Sequence, residues 1–370
     1  MSTDVSIKRV FNFSAGPAVL PLSVLQEIQR DMIALPDVGA SVLEISHRSP
    51  AFVAILNDAR NRLTNLLGVP DTHEVVFMQG GARLQNAMMP ANFLTSPEDT
   101  ADYIVTGNWG KNSAAEVKFY GNLNKAFDGA GDGFNRLPAR DEINFSDNAR
   151  YIHFTSNETI HGLQFKEPPS NGDVPLICDA SSDFLSRPVN VSNYGMIYAC
   201  AQKNAGTAGV TVCIISKELL ERCGERNPSY LNYSKVAEKD SMLNTPPTFA
   251  IYVTGLVCKW LQEEVGGLEA IEKMNSDKAR VLYDVIDNSD GFYKVHAANP
   301  EDRSVMNVVF KMASPEMDRK FLEQAAAENL TTLGGHRSIG GIRASIYNAM
   351  PREGVNALGQ FMQDFAAANG

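Results

Sequence analysis

Residues 176–216 read LICDASSDFLSRPVNVSNYGMIYACAQKNAGTAGVTVCIIS. The runs 176–178, 196–199 and 209–215 in this stretch are short, apolar and bounded by Gly, Pro, Asn or Asp. They are apolar at successive positions rather than alternate ones, which suits strands buried on both faces. Asp179 directly follows the first run, and Lys203 comes just after the second. In an open α/β sheet, ligands gather at the carboxyl ends of strands. An acid and an amine are therefore expected on one sheet edge, where they could face one ligand.

Further out, helix and strand patterns alternate. Upstream, 22–35 has helical spacing behind Pro21, and 51–67 is an amphipathic helix ended by Gly68. A strand at 74–78 leads through Gly80-Gly81 into a helix reaching Met89. A strand at 102–106 precedes a helix that begins after Trp109, 41–45 looks strand-like, and 151–154 is one more apolar run. Downstream, 250–265 and 268–286 are long helical patterns separated by Gly266-Gly267. A strand (305–310), a helix (317–329), a strand (342–346) and a last helix (354–367) follow. The expected fold class is α/β: a large domain over 17–266 built on a mainly parallel sheet, and a smaller α/β domain over 267–370. The N-terminal segment 1–16 is expected to join the smaller one.

Bulk composition narrows the function. The chain has 370 residues, 44% apolar and 21% charged, with a formal net charge of −10. That balance argues against nucleic acid or an anionic membrane surface as partner, while leaving room for a local basic pocket. The five cysteines show no CxxC spacing, so neither a disulfide framework nor a zinc site is expected, and no metal site is assigned. The opening MSTDVSIKRVFNF lacks an apolar leader core, and no run of about 20 apolar residues occurs, so a cytoplasmic protein is expected.

Taken singly, the chemical motifs stay ambiguous. Asp179 and Lys203 read either as a strand-end ion pair or as the carboxylate and amine that a pyridoxal cofactor requires. Gly80-Gly81-Ala82-Arg83 reads either as an ordinary turn or as a helix start offering free N–H groups to a phosphate. Trp109, one of two tryptophans, reads as core or as a platform for a flat ring. The cations His47, Arg48, His336, Arg337 and Arg343 read as surface charge or as a receptor for an anionic substrate.

Together, however, residues 11–17 (FNFSAGP), 44–49 (EISHRS), 178–188 (CDASSDFLSRP), 198–204 (YACAQKN), 244–248 (NTPPT) and 341–351 (GIRASIYNAMP) stand in a fixed order along nearly the whole chain. In that order they resemble the phosphoserine aminotransferases, class V pyridoxal-phosphate aminotransferases. The resemblance implies fold type I, the aspartate-aminotransferase-like fold of pyridoxal-phosphate transferases. It implies pyridoxal 5′-phosphate as cofactor, with Lys203 forming the aldimine and shuttling protons, and Asp179 pairing with the pyridine nitrogen. Trp109 would stack on the ring, and Thr159 would bond its hydroxyl. Ala82, Arg83 and Gln202 would hold the phosphate, and Asn244 and Thr245 would reach the neighbouring subunit's cofactor in a homodimer. Arg343 would clamp the substrate α-carboxylate, while His47, Arg48, His336 and Arg337 would receive the distal phosphate or carboxylate. The implied substrates are L-glutamate and phosphorylated 2-oxo acids: 3-phosphohydroxypyruvate, and 3-hydroxy-2-oxo-4-phosphooxybutanoate of pyridoxine synthesis. One departure is Ala15, where the family often has serine. A serine–glyoxylate-type aminotransferase, a cysteine desulfurase and a catalytically silent anion-binding scaffold are the rival readings.

Overall fold

The computed structural model describes residues 9–169 and 172–370, so residues 1–8 of the N-terminal segment lie outside the described residues. The chain begins with β1 (Phe11–Asn12) and α1 (Leu22–Asp31). The helix expected over 22–35 ends early because the chain folds back on itself. Leu35 N donates to Ala40 O at 2.8 Å, and Val42 N donates to Asp31 O at 3.2 Å. The strand expected at 41–45 is not formed. The Ser41 hydroxyl accepts from Leu43 N at 3.1 Å, and its N–H donates to the Glu44 carboxylate at 3.1 Å, which pulls the segment into a turn.

Helix α2 (Pro50–Leu67) shows why sequence and structure agree elsewhere. The Ser49 hydroxyl accepts from Phe52 N, Pro50 fits the first turn, and Gly68 closes the helix at φ 59°. Its Phe52, Leu56, Ala59, Leu63 and Leu67 form one buried stripe. Burying a Phe or Leu this fully stabilises by about 1.5–3 kcal/mol each.

The large sheet is then laid down. Its parts are β2 (His73–Gln79), α3 (Ala82–Phe93), β3 (Thr100–Val105), α4 (Asn108–Ala114), β4 (Asn122–Asp128) and β5 (Ala149–Thr155). A small hairpin follows, β6 (Asn157–Glu158) with β7 (Leu163–Gln164), and then β8 (Leu176–Asp179), β9 (Met196–Cys200) and β10 (Val210–Ser216). The seven-stranded order is β2-β10-β9-β8-β5-β3-β4. All neighbours are parallel except β10, which runs antiparallel to both β2 and β9. Successive strand residues enter opposite cores: Phe154, Cys178, Ile197 and Ala199 on the α2 face, and Tyr151, Ile177, Met196 and Tyr198 on the α3 face. This is the physical origin of the unbroken apolar runs. The short helices α5 (Lys217–Glu221) and α6 (Tyr233–Ala237) cover the second face, and α7 (Thr248–Trp260) packs along α2 on the first.

The remaining elements are α8 (Leu268–Asp287), β11 (Lys294–Val295), β12 (Asn307–Lys311), α9 (Pro315–Ala327), β13 (Leu330–Thr331), β14 (Ile342–Ser345) and α10 (Arg352–Asn369). They build a separate core that includes Phe13, Leu282, Phe310, Phe321 and Phe361. β1 pairs in parallel with β13, Phe11 opposite Leu330, so the chain start lies on this smaller unit. Gly266 and Gly267 take φ of 94° and 101°, which side chains disfavour. Helix α8 starts there and straddles the two units: Leu268 and Ile271 enter the large core, Ala279, Leu282 and Ile286 the small one. No helix among the described residues is long and apolar enough to cross a membrane.

Candidate active site

β8 and β9 are parallel neighbours with Asp179 opposite Tyr198, so both chains leave the sheet on one edge. Asp179, 7% exposed, ends β8, and one of its carboxylate oxygens accepts from Ser181 N at 3.0 Å. Lys203 follows β9 in a turn closed by Ala205 N donating to Ala201 O at 3.0 Å. The two side chains line one cleft of about 230 Å³. Burial pulls the Lys203 ammonium down, but Tyr347, Cys200, Asp179 and Glu158 outweigh it and hold the group above its ordinary value.

Trp109 forms another wall, with the Lys203 Nζ 5.4 Å from its ring centre. The indole N–H donates to Thr159 Oγ1 at 2.8 Å. Gly81, Ala82 and Arg83 also line the cleft. Gly80 turns the chain at φ 87°, and no side chain caps α3 at Gly81. The first amides of α3 are those a helix leaves unpaired, and they are favourable to an anion. Gln202 completes that corner.

The cations divide into groups. Arg343 sits on β14, without an ion-pair partner among the described residues, and burial lowers its guanidinium below the ordinary value. Tyr347, fully buried, feels the charges of both Lys203 and Arg343, and its hydroxyl donates to Ala15 O at 2.8 Å. That contact uses the backbone of residue 15, so it does not need a serine there. His336 and Arg337 stand on the loop between β13 and β14. The loop is tight, since a Cβ on Gly335 would lie 1.9 Å from Gly340 O. Burial first, then Arg343 and Arg337, hold the His336 imidazolium below its ordinary value. Asn108 Nδ2 donates to Ser338 Oγ at 3.2 Å, tying this loop to the start of α4.

The structure therefore brings Asp179, Lys203, Trp109, Ala82, Arg83 and Gln202 together around one space. Thr159, whose hydroxyl accepts the Trp109 indole N–H, is not among the residues lining the cleft. Arg343, His336, Arg337, His47 and Arg48 do not line it either. His47, with its Nε2 buried and unpartnered among the described residues, and the exposed Arg48 occupy the turn before α2. Asn244 and Thr245 are exposed and do not line the cleft, with Thr245 O accepting from Gln79 Nε2 at 2.7 Å.

Sequence reasoning missed Asn157, Ser182 and Thr155, which line the cleft, and Glu158, which supports it. The string Asn157-Glu158-Thr159 was the available signal. Another cleft, of about 420 Å³ and lined in part by Trp260, Met274 and Lys278, shares no residue with this one. The desulfurase alternative needs a reactive thiolate. Burial pushes the thiols of Cys178, Cys213 and Cys258 upward, and Cys200 sits at a strand end rather than on a mobile loop.

Residues 10–358 match the family model described as aminotransferase class-V. The chain belongs to that class. Phosphoserine aminotransferase of Rhodopirellula baltica is 51% identical over 363 residues, covering 98% of this chain and 96% of that one. The structure of phosphoserine aminotransferase from Bacillus circulans subsp. alkalophilus is 44% identical with a TM-score of 0.95, covering 98% of this chain and 99% of that one. The pyridoxal-phosphate-bound phosphoserine aminotransferase of Trichomonas vaginalis is 39% identical with a TM-score of 0.90, covering 96% of this chain and all of that one. Within class V, the chain thus belongs to the phosphoserine aminotransferase family, and its fold is the type I fold of pyridoxal-phosphate transferases.

Proposed function

We infer that this chain is a phosphoserine aminotransferase using pyridoxal 5′-phosphate, exchanging the amino group between L-glutamate with 3-phosphohydroxypyruvate and O-phospho-L-serine with 2-oxoglutarate. The observation that carries this reading is the meeting of Lys203, Asp179, Trp109 and the unpaired α3 amides in one cleft. The residues fit the cofactor: an amine, a buried carboxylate, an aromatic wall, an anion-favouring helix start, and a buried Thr155 hydroxyl without a partner among the described residues. When bound, pyridoxal phosphate supplies the electron sink and carries the amino group between half-reactions.

The chain's own residues do the rest. The Lys203 amine would move the proton between the substrate Cα and the cofactor's C4′. The Asp179 carboxylate holds a proton on the pyridine nitrogen, and its tie to Ser181 N keeps it in place. Trp109 covers the ring face, while Thr159, already bonded to the indole, has its own proton left for the ring hydroxyl. Ala82 and Arg83 amides and Gln202 hold the phosphate. Arg343 pairs with the α-carboxylate in both half-reactions, and its lack of an acid partner among the described residues supports that task. His336 and Arg337, with His47 and Arg48, take the distal anion.

Asn244 and Thr245 act on the partner's cofactor in a homodimer. This is supported by their exposure and by apolar surface at Met32, Ile33 and Val38, with Ile33 82% exposed. The two cores and the Gly266–Gly267 turn support a division into 17–266 and 267–370, with the chain start on the smaller unit. Action on 3-hydroxy-2-oxo-4-phosphooxybutanoate and a cytoplasmic location complete the reading. Purified protein given glutamate and 3-phosphohydroxypyruvate should form O-phosphoserine, and Lys203→Ala protein should not. Equal product from both would reject the reading.

A further inference from the structure

Glu158 is 1% exposed, lies outside the cleft lining and has no ion-pair partner among the described residues. Both its carboxyl oxygens are nevertheless engaged. One accepts from Trp109 N at 3.2 Å, and the other accepts from Gly110 N at 2.8 Å. The fit is close on every side. A Cβ on Gly107 would lie 2.3 Å from Glu158 Cδ, and one on Gly110 would lie 3.4 Å from Oε1. The next residue, Thr159, accepts the indole N–H of the same tryptophan at 2.8 Å. Residues 158 and 159 thus grip Trp109 at its backbone and at its ring.

A buried carboxyl group is costly unless it is bonded, so its placement here calls for a task. Burial raises it to about 7, opposed by the two amide bonds and by Lys203, and assisted by Asp179. Whatever its protonation state, both its oxygens are held by the Trp109 and Gly110 amides. What it supplies is geometry.

We propose that Glu158 is a positioning residue that sets the plane of the Trp109 indole by pinning the Trp109–Gly110 backbone, so that the ring lies flat over the cleft. This rests on the reading of Trp109 as the stacking partner of the cofactor. Gly107 belongs to the same device, because only a residue without a side chain lets the carboxyl group approach the backbone. Thr159 fixes the remaining freedom, rotation of the indole about its side-chain bonds.

The test is a double-mutant cycle on the holoenzyme: parent, Glu158→Gln, Trp109→Ala and both together. The readouts are cofactor Kd and the visible circular dichroism of the bound cofactor. Loss of an aromatic contact weakens binding by roughly three- to tenfold, the expectation for Trp109→Ala. Glu158→Gln should raise Kd by a similar factor and alter the visible band. In the Trp109→Ala background, it should add less than about twofold, because both changes remove one device. Losses that multiply in the double variant would overturn the proposal, as would an unchanged Kd and band in Glu158→Gln. An unchanged Kd and band in Trp109→Ala would instead reject the stacking reading, and the proposal with it. Should Glu158→Gln not accumulate folded, Gly107→Ala displaces the same carboxyl group and takes its place in the cycle, with the same outcomes deciding.

Discussion

Replacing Lys278 by methionine should destabilise the protein by about 2–4 kcal/mol, although the lysine has no ion-pair partner among the described residues and lines no part of the active-site cleft. The side chain is 2% exposed, and its Nζ donates to Tyr347 O at 2.7 Å, Asn348 O at 3.2 Å and Met350 O at 3.2 Å. Methionine keeps the stem's packing and strands three buried carbonyls. Each unsatisfied acceptor costs about 1–3 kcal/mol. Against that, removing the ammonium returns several kcal/mol of desolvation cost, roughly half of the gross loss. The assay is urea unfolding at pH 6. There the ammonium, pulled down to about 7 by burial and by Arg352, is still mostly protonated. The strapped segment follows β14, which carries Arg343, so kcat/KM for glutamate should fall more than cofactor affinity. A Lys278→Met protein as stable as the parent would refute the claim that this ammonium holds the segment.

Asp179→Asn should lower kcat steeply with the assembly unchanged, and a fall within about threefold, roughly 0.6 kcal/mol, would remove the ring-nitrogen role. Arg337→Ala should cut kcat/KM for O-phosphoserine by some tens-fold or more, since a charge-assisted contact is worth about 2–5 kcal/mol. An equal loss with plain serine, which has no distal anion, would contradict that assignment. Glu158 predicts a pH effect in cofactor-free protein. Its folded value is raised from 4.5 to about 7, so its contribution to stability is complete below 4.5 and is lost as pH rises through about 7. The parent should therefore lose stability relative to Glu158→Gln across that window, and a constant difference in unfolding midpoint would count against it.

The strands that position the site were legible because burial on both faces leaves few polar positions in a run, and the acid and amine lie just beyond those runs. Strand direction was not legible. β10 is as apolar as the parallel strands of the sheet, and nothing in Val210–Ser216 records that it runs the other way. β4 was missed because Asn122–Asp128 lies at the sheet edge, where one face meets water and polar residues suffice. The segment 41–45 was misread because two side-chain bonds from Ser41 and Glu44 outweigh a short apolar run. Glu158 escaped notice for a different reason: its partners are backbone amides 48 and 49 positions away, and backbone amides leave no mark in a sequence.

The central claim is that Lys203 is the amine that engages the cofactor. Borohydride treatment of the coloured protein, followed by proteolysis and mass spectrometry, tests it directly. The visible band should disappear, and the pyridoxyl group should be found on the peptide bearing Lys203 and on no other lysine. A band that survives reduction, or an adduct on a different lysine, would contradict the account.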